Sequence, residues 1–232
     1  MTDRTLSNEE LERALRFEGY GTKSAPFWFL GMEEGGGSSD ELLVRARTYG
    51  SVEDLYSALN KIGREKILQS HVPTWRVISK LVMAMQGVAD WQETFSGREY
   101  QAHRLGRSDG ETFLTELMPL PCKDINDWPY PMLFPTKAEY IVLIRPRRIR
   151  WLRAEVSKLK PRFVICYGKG NWHQHQEIFS DVKFRPALNG KICVGERGQS
   201  TILMLPFLSY RLVTTALINQ VAGMFGQSRN GT

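Results

Sequence analysis

Apolar runs that stop abruptly at glycine or proline recur along this chain, and stretches of helical periodicity separate them. APFWFLG (25–31), ETFLTELMPLP (111–121, strand-like as far as Pro119) and RFVICYG (162–168) read as buried strands. KICVGERGQSTILMLP (191–206) reads as a hairpin or two short strands. Ser7 followed by Glu10 predicts a capping box opening a short helix that ends near Gly19. SSDELLVRARTYG and SVEDLYSALNKIG each begin with a cap and end at glycine, as helices do. PTWRVISKLVMAMQG repeats apolar residues at helical spacing, with Pro73 near its start. The polar stretch from Trp91 to Gly110 is ambiguous. TKAEYIVLI and PRRIRWLRAEVSKLKP predict two helices, broken at Pro146 and ended at Pro161. Further helices are expected near NWHQHQEIF and over RLVTTALINQVAGMF, which begins near Leu212. Strands alternating with helices predict an α/β fold, a three-layer α/β/α sandwich around a central, mostly parallel four-stranded sheet. The 232 residues suit a single domain, with a core over about 26–225 and a polar tail at 226–232.

Composition narrows the function classes. Lys and Arg exceed Asp and Glu by 31 − 25 = 6, which suits a polyanionic partner but does not require one. Cys122, Cys166 and Cys193 lie far apart, so neither a zinc site nor a disulfide framework nor a four-cysteine iron–sulfur cluster is expected. The early acidic residues argue against a signal peptide, and no apolar run is long enough to span a membrane. A reducing cytoplasm fits this pattern.

Function in a parallel sheet gathers beyond the C-terminal strand ends. Glu33 and Glu34 follow the first strand and precede three glycines. They are either solvated loop acids or a general base aimed into a cleft, with the glycines allowing close approach of a ligand. Glu116 sits between apolar residues at the end of the second run, where Pro119 and Pro121 stiffen the exit. His173 and His175, two apart on a helix, point to different faces and make a poor metal pair, while His71 and His103 are isolated. The arginines of IRPRRIRWLRAEVSKLKPR make either a solvated helix face or a nucleic-acid contact.

Taken together, these strand ends resemble the uracil-DNA glycosylase superfamily. GMEEG stands where that superfamily has a first motif such as G-Q-D-P-Y, G-M-N-P-G or G-E-A-P-G. ELMPLP matches a second motif of Asn with Pro three residues later, with Glu116 in the Asn place. FVICYGKG matches a strand ending in leucine-glycine, and FLSYR matches H-P-S-P-L, with Phe207 in the place of His. The order holds over residues 26–225. The resemblance implies a monomeric, cofactor-free hydrolase that flips uracil out of single- or double-stranded DNA. It would cut the glycosidic bond and release free uracil, in the cytoplasm or, in a bacterium, at the nucleoid. It implies catalytic positions at Glu33, Glu34 and Phe207, and base recognition by Gly31, Met32, Tyr49, Glu116 and Asn126. It implies DNA contacts at Pro73, Gly168, Lys169, Ser209, Tyr210 and Arg211, the last in the place of the wedge that enters the base stack. Glu116 in the Asn place leaves open a different deaminated base such as hypoxanthine. Loss of His and Asn leaves open a non-catalytic nucleic-acid-binding module.

Overall fold

The computed structural model describes residues 5–123 and 127–226. Eight strands form one sheet: β1 (Gly19–Gly21), β2 (Phe27–Glu33), β3 (Val52–Glu53), β4 (Thr112–Met118), β5 (Phe163–Tyr167), β6 (Arg185–Ala187), β7 (Ile192–Arg197) and β8 (Ser200–Leu205). Their order is β3-β1-β4-β2-β5-β8-β7-β6. The fold is α/β as expected, but the sheet is larger and mixed, not four-stranded. Its middle, β4-β2-β5-β8, is parallel throughout. The flanks are not: β1 runs antiparallel to β4, and β7 antiparallel to both β8 and β6. β1, β3 and β6 are three residues or fewer, too short to show a period-2 pattern in sequence.

The helices are α1 (Asn8–Leu15), α2 (Ser39–Thr48), α3 (Leu55–Lys61), α4 (Pro73–Met85), α5 (Thr94–His103), α6 (Lys137–Leu159), α7 (Trp172–Ile178) and α8 (Thr215–Gly226). Alternation along the strands divides the core in two. Phe27, Phe29, Ile165 and Leu203 pack with Leu55, Ile78, Leu81, Leu217 and Val221, from α3, α4 and α8. Trp28, Leu30, Val164 and Met204 pack with Leu42, Tyr140, Leu152 and Ile178, from α2, α6 and α7. Helices therefore cover both faces, which is why the central strands read as continuous apolar runs.

Local signals account for most helix boundaries. Ser7 Oγ accepts from Glu10 N (3.2 Å) while Glu10 accepts from Ser7 N (2.8 Å), the capping box the sequence announces. Ser38, Asp54 and Thr136 cap α2, α3 and α6. The ambiguous polar stretch forms α5. Three expectations need correction. The segment 51–63 is not one helix opened by a cap at its head: Val52 and Glu53 form β3, and α3 starts at Leu55 behind the Asp54 cap. α8 begins at Thr215, with Thr214 Oγ accepting from Leu217 N, so the residues from Leu212 to Thr214 lie outside it. The chain does not break at Pro146 either, since α6 runs through it for 23 residues. Proline removes one helical donor and crowds the carbonyl four residues back. Here Pro146 and Val142 both lie on the exposed face, so the carbonyl that proline leaves without a helical donor is open to solvent.

Candidate active site

The row across β4-β2-β5 builds the centre of the site. Gly31 is in register with Glu116 on one side, and the neighbouring Leu30 with Cys166 on the other. Glu116 and Tyr167 therefore reach over Gly31 from opposite strands, and Tyr167 Oη donates to Glu116 Oε1 at 3.0 Å. A Cβ on Gly31 would overlap Glu116 Oε2 and Tyr167 Oη. A bare residue in mid-strand is what lets the two side chains meet.

Glu116 Oε2 is buried and has no hydrogen-bond partner among the described residues. Burial pushes the Glu116 carboxyl up to about 8, and Glu34 and Glu33 add to the shift. The Tyr167 hydrogen bond and Arg148 act against it without cancelling it. At pH 7 Glu116 is thus mainly a neutral acid, able both to donate and to accept.

The two loop acids have separate fates. Glu33, at the end of β2, is held by Lys137 Nζ at 2.8 Å and lines a cleft of about 570 Å³. Glu34 turns to Arg45, which donates Nη1 to Oε2 (2.7 Å) and Nη2 to Oε1 (2.9 Å), and Tyr20 Oη adds a third bond at 2.7 Å. Burial would raise the Glu34 carboxyl, but Arg45 and Tyr20 hold it below the ordinary range. Both its oxygens are engaged within the fold, so Glu34 braces the strand end, although it also lines the cleft. Replacing Arg45 by Met is expected to lower stability by about 3 kcal/mol, the low end for breaking a buried pair, since Glu34 keeps some exposure. Adding Glu34→Gln to that variant should recover much of the loss, and urea unfolding of the cycle measures both.

The glycines behind these acids serve the fold more than a ligand. Gly37 has φ +95°, and a Cβ there would sit 2.8 Å from Pro121 O and Tyr130 Oη. Of the three, Gly35 lines the cleft.

Met32, Glu116, Tyr167 and Phe207 share that cleft with Glu33, and Phe207 is 52% exposed. A chamber of about 50 Å³ adjoins it, with Glu34, Trp75, Glu116 and Tyr167 lining both spaces. Tyr49 is not part of either; it is buried, donates to Ala58 O (2.7 Å) and packs on Phe17. The role in base recognition that the resemblance implies for Tyr49 would need a ligand to reach it outside the cleft. Asn126 lies outside the described residues. Pro73 is exposed at the first turn of α4, whose Thr74 and Trp75 line the cleft. Gly168 takes φ +96° at the end of β5, and Lys169 lies 5.5 Å from the Trp172 ring. Ser209 forms a turn whose carbonyl accepts from Leu212 and Val213 N, Tyr210 stacks on His71 at 5.7 Å, and Arg211 is exposed.

Tyr167, Trp75, Arg45, Lys137 and Arg145 were not singled out from sequence. Tyr167 precedes the glycine that ends the RFVICYG run, which is the one local signal it carried. Lys137 is one lysine in a helix first turn and carried none. Among the described residues no group of three or more His, Cys, Asp or Glu could hold a metal ion, and no helix is long and apolar enough to cross a membrane. Neither family models nor curated proteins match this sequence.

Proposed function

We propose that this protein is a DNA base glycosylase of the uracil-DNA glycosylase kind, acting on uracil. The four central parallel strands would then be the superfamily sheet, extended on both edges. The observation that carries the reading is convergence: Glu33, Glu116, Tyr167 and Phe207, from the four strand ends that carry the resemblance, line one cleft.

In this reading a nucleotide flips into the cleft and its C–N bond breaks toward a sugar cation and a base anion. Glu33 stabilises the cation and orients the attacking water, with Lys137 fixing its carboxylate. The neutral Glu116 carboxyl reads the base edge as an amide would, donating to O4 and accepting from N3–H. Phe207 cannot donate to the base anion, so backbone N–H groups of the first and last motifs carry that task.

The reading is tested on labelled single- and double-stranded DNA carrying uracil, hypoxanthine or mismatched thymine, scored for abasic sites. Abasic sites at uracil support it. Sites at hypoxanthine alone move the substrate to another deaminated base. Binding with no abasic site on any substrate leaves the binding module, which Phe207 in the His place favours.

Arg211 gives an independent check. It lies exposed in the loop between β8 and α8, in the wedge place. Arg211→Ala should weaken binding to uracil-containing duplex and flatten its salt dependence by about one log–log unit for each phosphate the side chain neutralises. Single-stranded substrate should suffer less, because less stacking must be broken. Equal small losses on both, with an unchanged slope, would make Arg211 a surface residue.

A further inference from the structure

The arginine-rich part of α6 is the densest charge in the chain, and the fold uses up most of it. Arg148 is buried and donates to Phe17 O, Thr115 Oγ1 and Glu116 O. Arg147 pairs with Glu12 at 3.1 Å, and Arg153 donates to the carbonyls of Ile178 (2.8 Å) and Glu177 (2.7 Å). Arg145 differs. Lys137, Ile141 and Arg145 recur every fourth residue, forming one stripe of α6, and all three line the 570 Å³ cleft. Lys123, Asn171 and Gln174 belong to the same lining.

Along this cleft, positive charge is in excess on the α6 side. Arg64 is matched by Glu41 at 3.1 Å and Lys137 by Glu33 at 2.8 Å. Glu34 is matched by Arg45 at 2.7 Å. Among the described residues Arg145 reaches only Glu177, at 3.9 Å, and Glu177 is half exposed. Among the described residues Lys123 has no ion-pair partner. Glu116, mainly neutral at pH 7, supplies little counter-charge. Among the described residues the buried Gln174 oxygen has no partner, so that atom is not committed to the fold. One unpaired cation, Lys123, and one held only by a long, half-exposed pair, Arg145, leave a cleft wall that focuses potential toward an anion, and the cleft is much larger than a base alone needs.

Resting on the glycosylase reading, we propose that Lys123, Lys137 and Arg145 form a phosphodiester subsite on the α6 wall, holding a phosphate beside Glu33. It adds to the contacts expected at Gly168, Lys169 and Arg211. The phosphate belongs either to a nucleic-acid strand or to a free mononucleotide, and the same cations would recognise both.

The test is fluorescence anisotropy with a labelled single-stranded oligonucleotide over a salt series, on the full chain, for wild type, Lys123→Ala, Arg145→Ala and the double variant. The double variant should lower the log–log salt slope by about 0.7 for each phosphate it no longer neutralises and bind roughly tenfold more weakly at low salt. Arg145→Lys, which keeps the charge, should retain the wild-type slope. Deoxyuridine monophosphate serves as competitor: displacement in wild type and not in the double variant assigns the subsite a free mononucleotide, and no displacement assigns it the strand. A double variant that binds both ligands as wild type does, or a wild type that binds neither, overturns the proposal. Excision scored in parallel separates the two readings. Wall-dependent binding with no base released keeps the subsite and removes the glycosylase, whereas excision indifferent to the wall removes the subsite alone.

Discussion

Glu33→Gln is expected to lower base excision by at least ~100-fold while leaving the fold and DNA affinity in place. Glu33 closes β2 and faces the cleft, and Lys137 at 2.8 Å fixes its carboxylate. A carboxylate already oriented where positive charge develops on the sugar needs no reorganisation as the bond breaks, and losing one such preorganised group costs about 100- to 1,000-fold. Gln keeps the shape and loses the charge, so the loss should fall on kcat. Single-turnover excision with saturating enzyme, beside anisotropy on uncleaved substrate, separates chemistry from binding. Near-normal turnover in the variant would remove Glu33 from the chemistry, and Glu34, committed to Arg45 and Tyr20, could not readily take its place.

Glu116 should govern stability between about pH 4.5 and 8 and activity above about pH 8. Its folded carboxyl is raised from the ordinary 4.5 to about 8. Below about pH 4.5 the acid is protonated in both folded and unfolded chains. Between 4.5 and 8 the unfolded chain releases the proton and the folded one keeps it, so stability falls as pH rises through this window and levels off above it. Glu116→Gln cannot titrate and keeps an oxygen to accept from Tyr167. The variant should therefore match wild type near pH 4.5 and exceed it at pH 9, by an amount on the order of a few kcal/mol. Urea unfolding at pH 5, 7 and 9 measures this, and a pH-independent difference would deny the shift. Wild-type excision of uracil should decline above about pH 8, as the donor to O4 is lost, while the Gln variant stays flat.

How much of this was legible in the sequence depended on the range of the interaction. The central strands β2, β4 and β5 were readable because burial on both faces makes them continuous apolar runs. Ser7 and Ser38 announced their helices because a cap is decided within three residues. β1 and β3 were not readable, because strands of three and two residues exist only through their pairing with each other and with β4. Pro146 misled because its cost depends on whether water reaches Val142, which only packing determines. In the site, Glu33 and Glu116 were found from strand ends, but the separate fates of Glu33 and Glu34 were not. Arg45 comes from α2 and Lys137 from α6, and nothing local in EE tells which acid each will meet. The surroundings of Tyr49 were not legible for the same reason: its partners, Phe17 and Ala58, are tertiary neighbours.

The most direct measurement of the central claim is release of free base. A single-stranded oligonucleotide with one uracil is incubated with the protein at pH 7, and free uracil is quantified by mass spectrometry, with Glu33→Gln run beside it. The expected result is one uracil released per strand, an alkali-labile site at that position, and at least ~100-fold slower release by the variant. No free uracil from a strand the protein demonstrably binds, or equal release by wild type and Glu33→Gln, would contradict it.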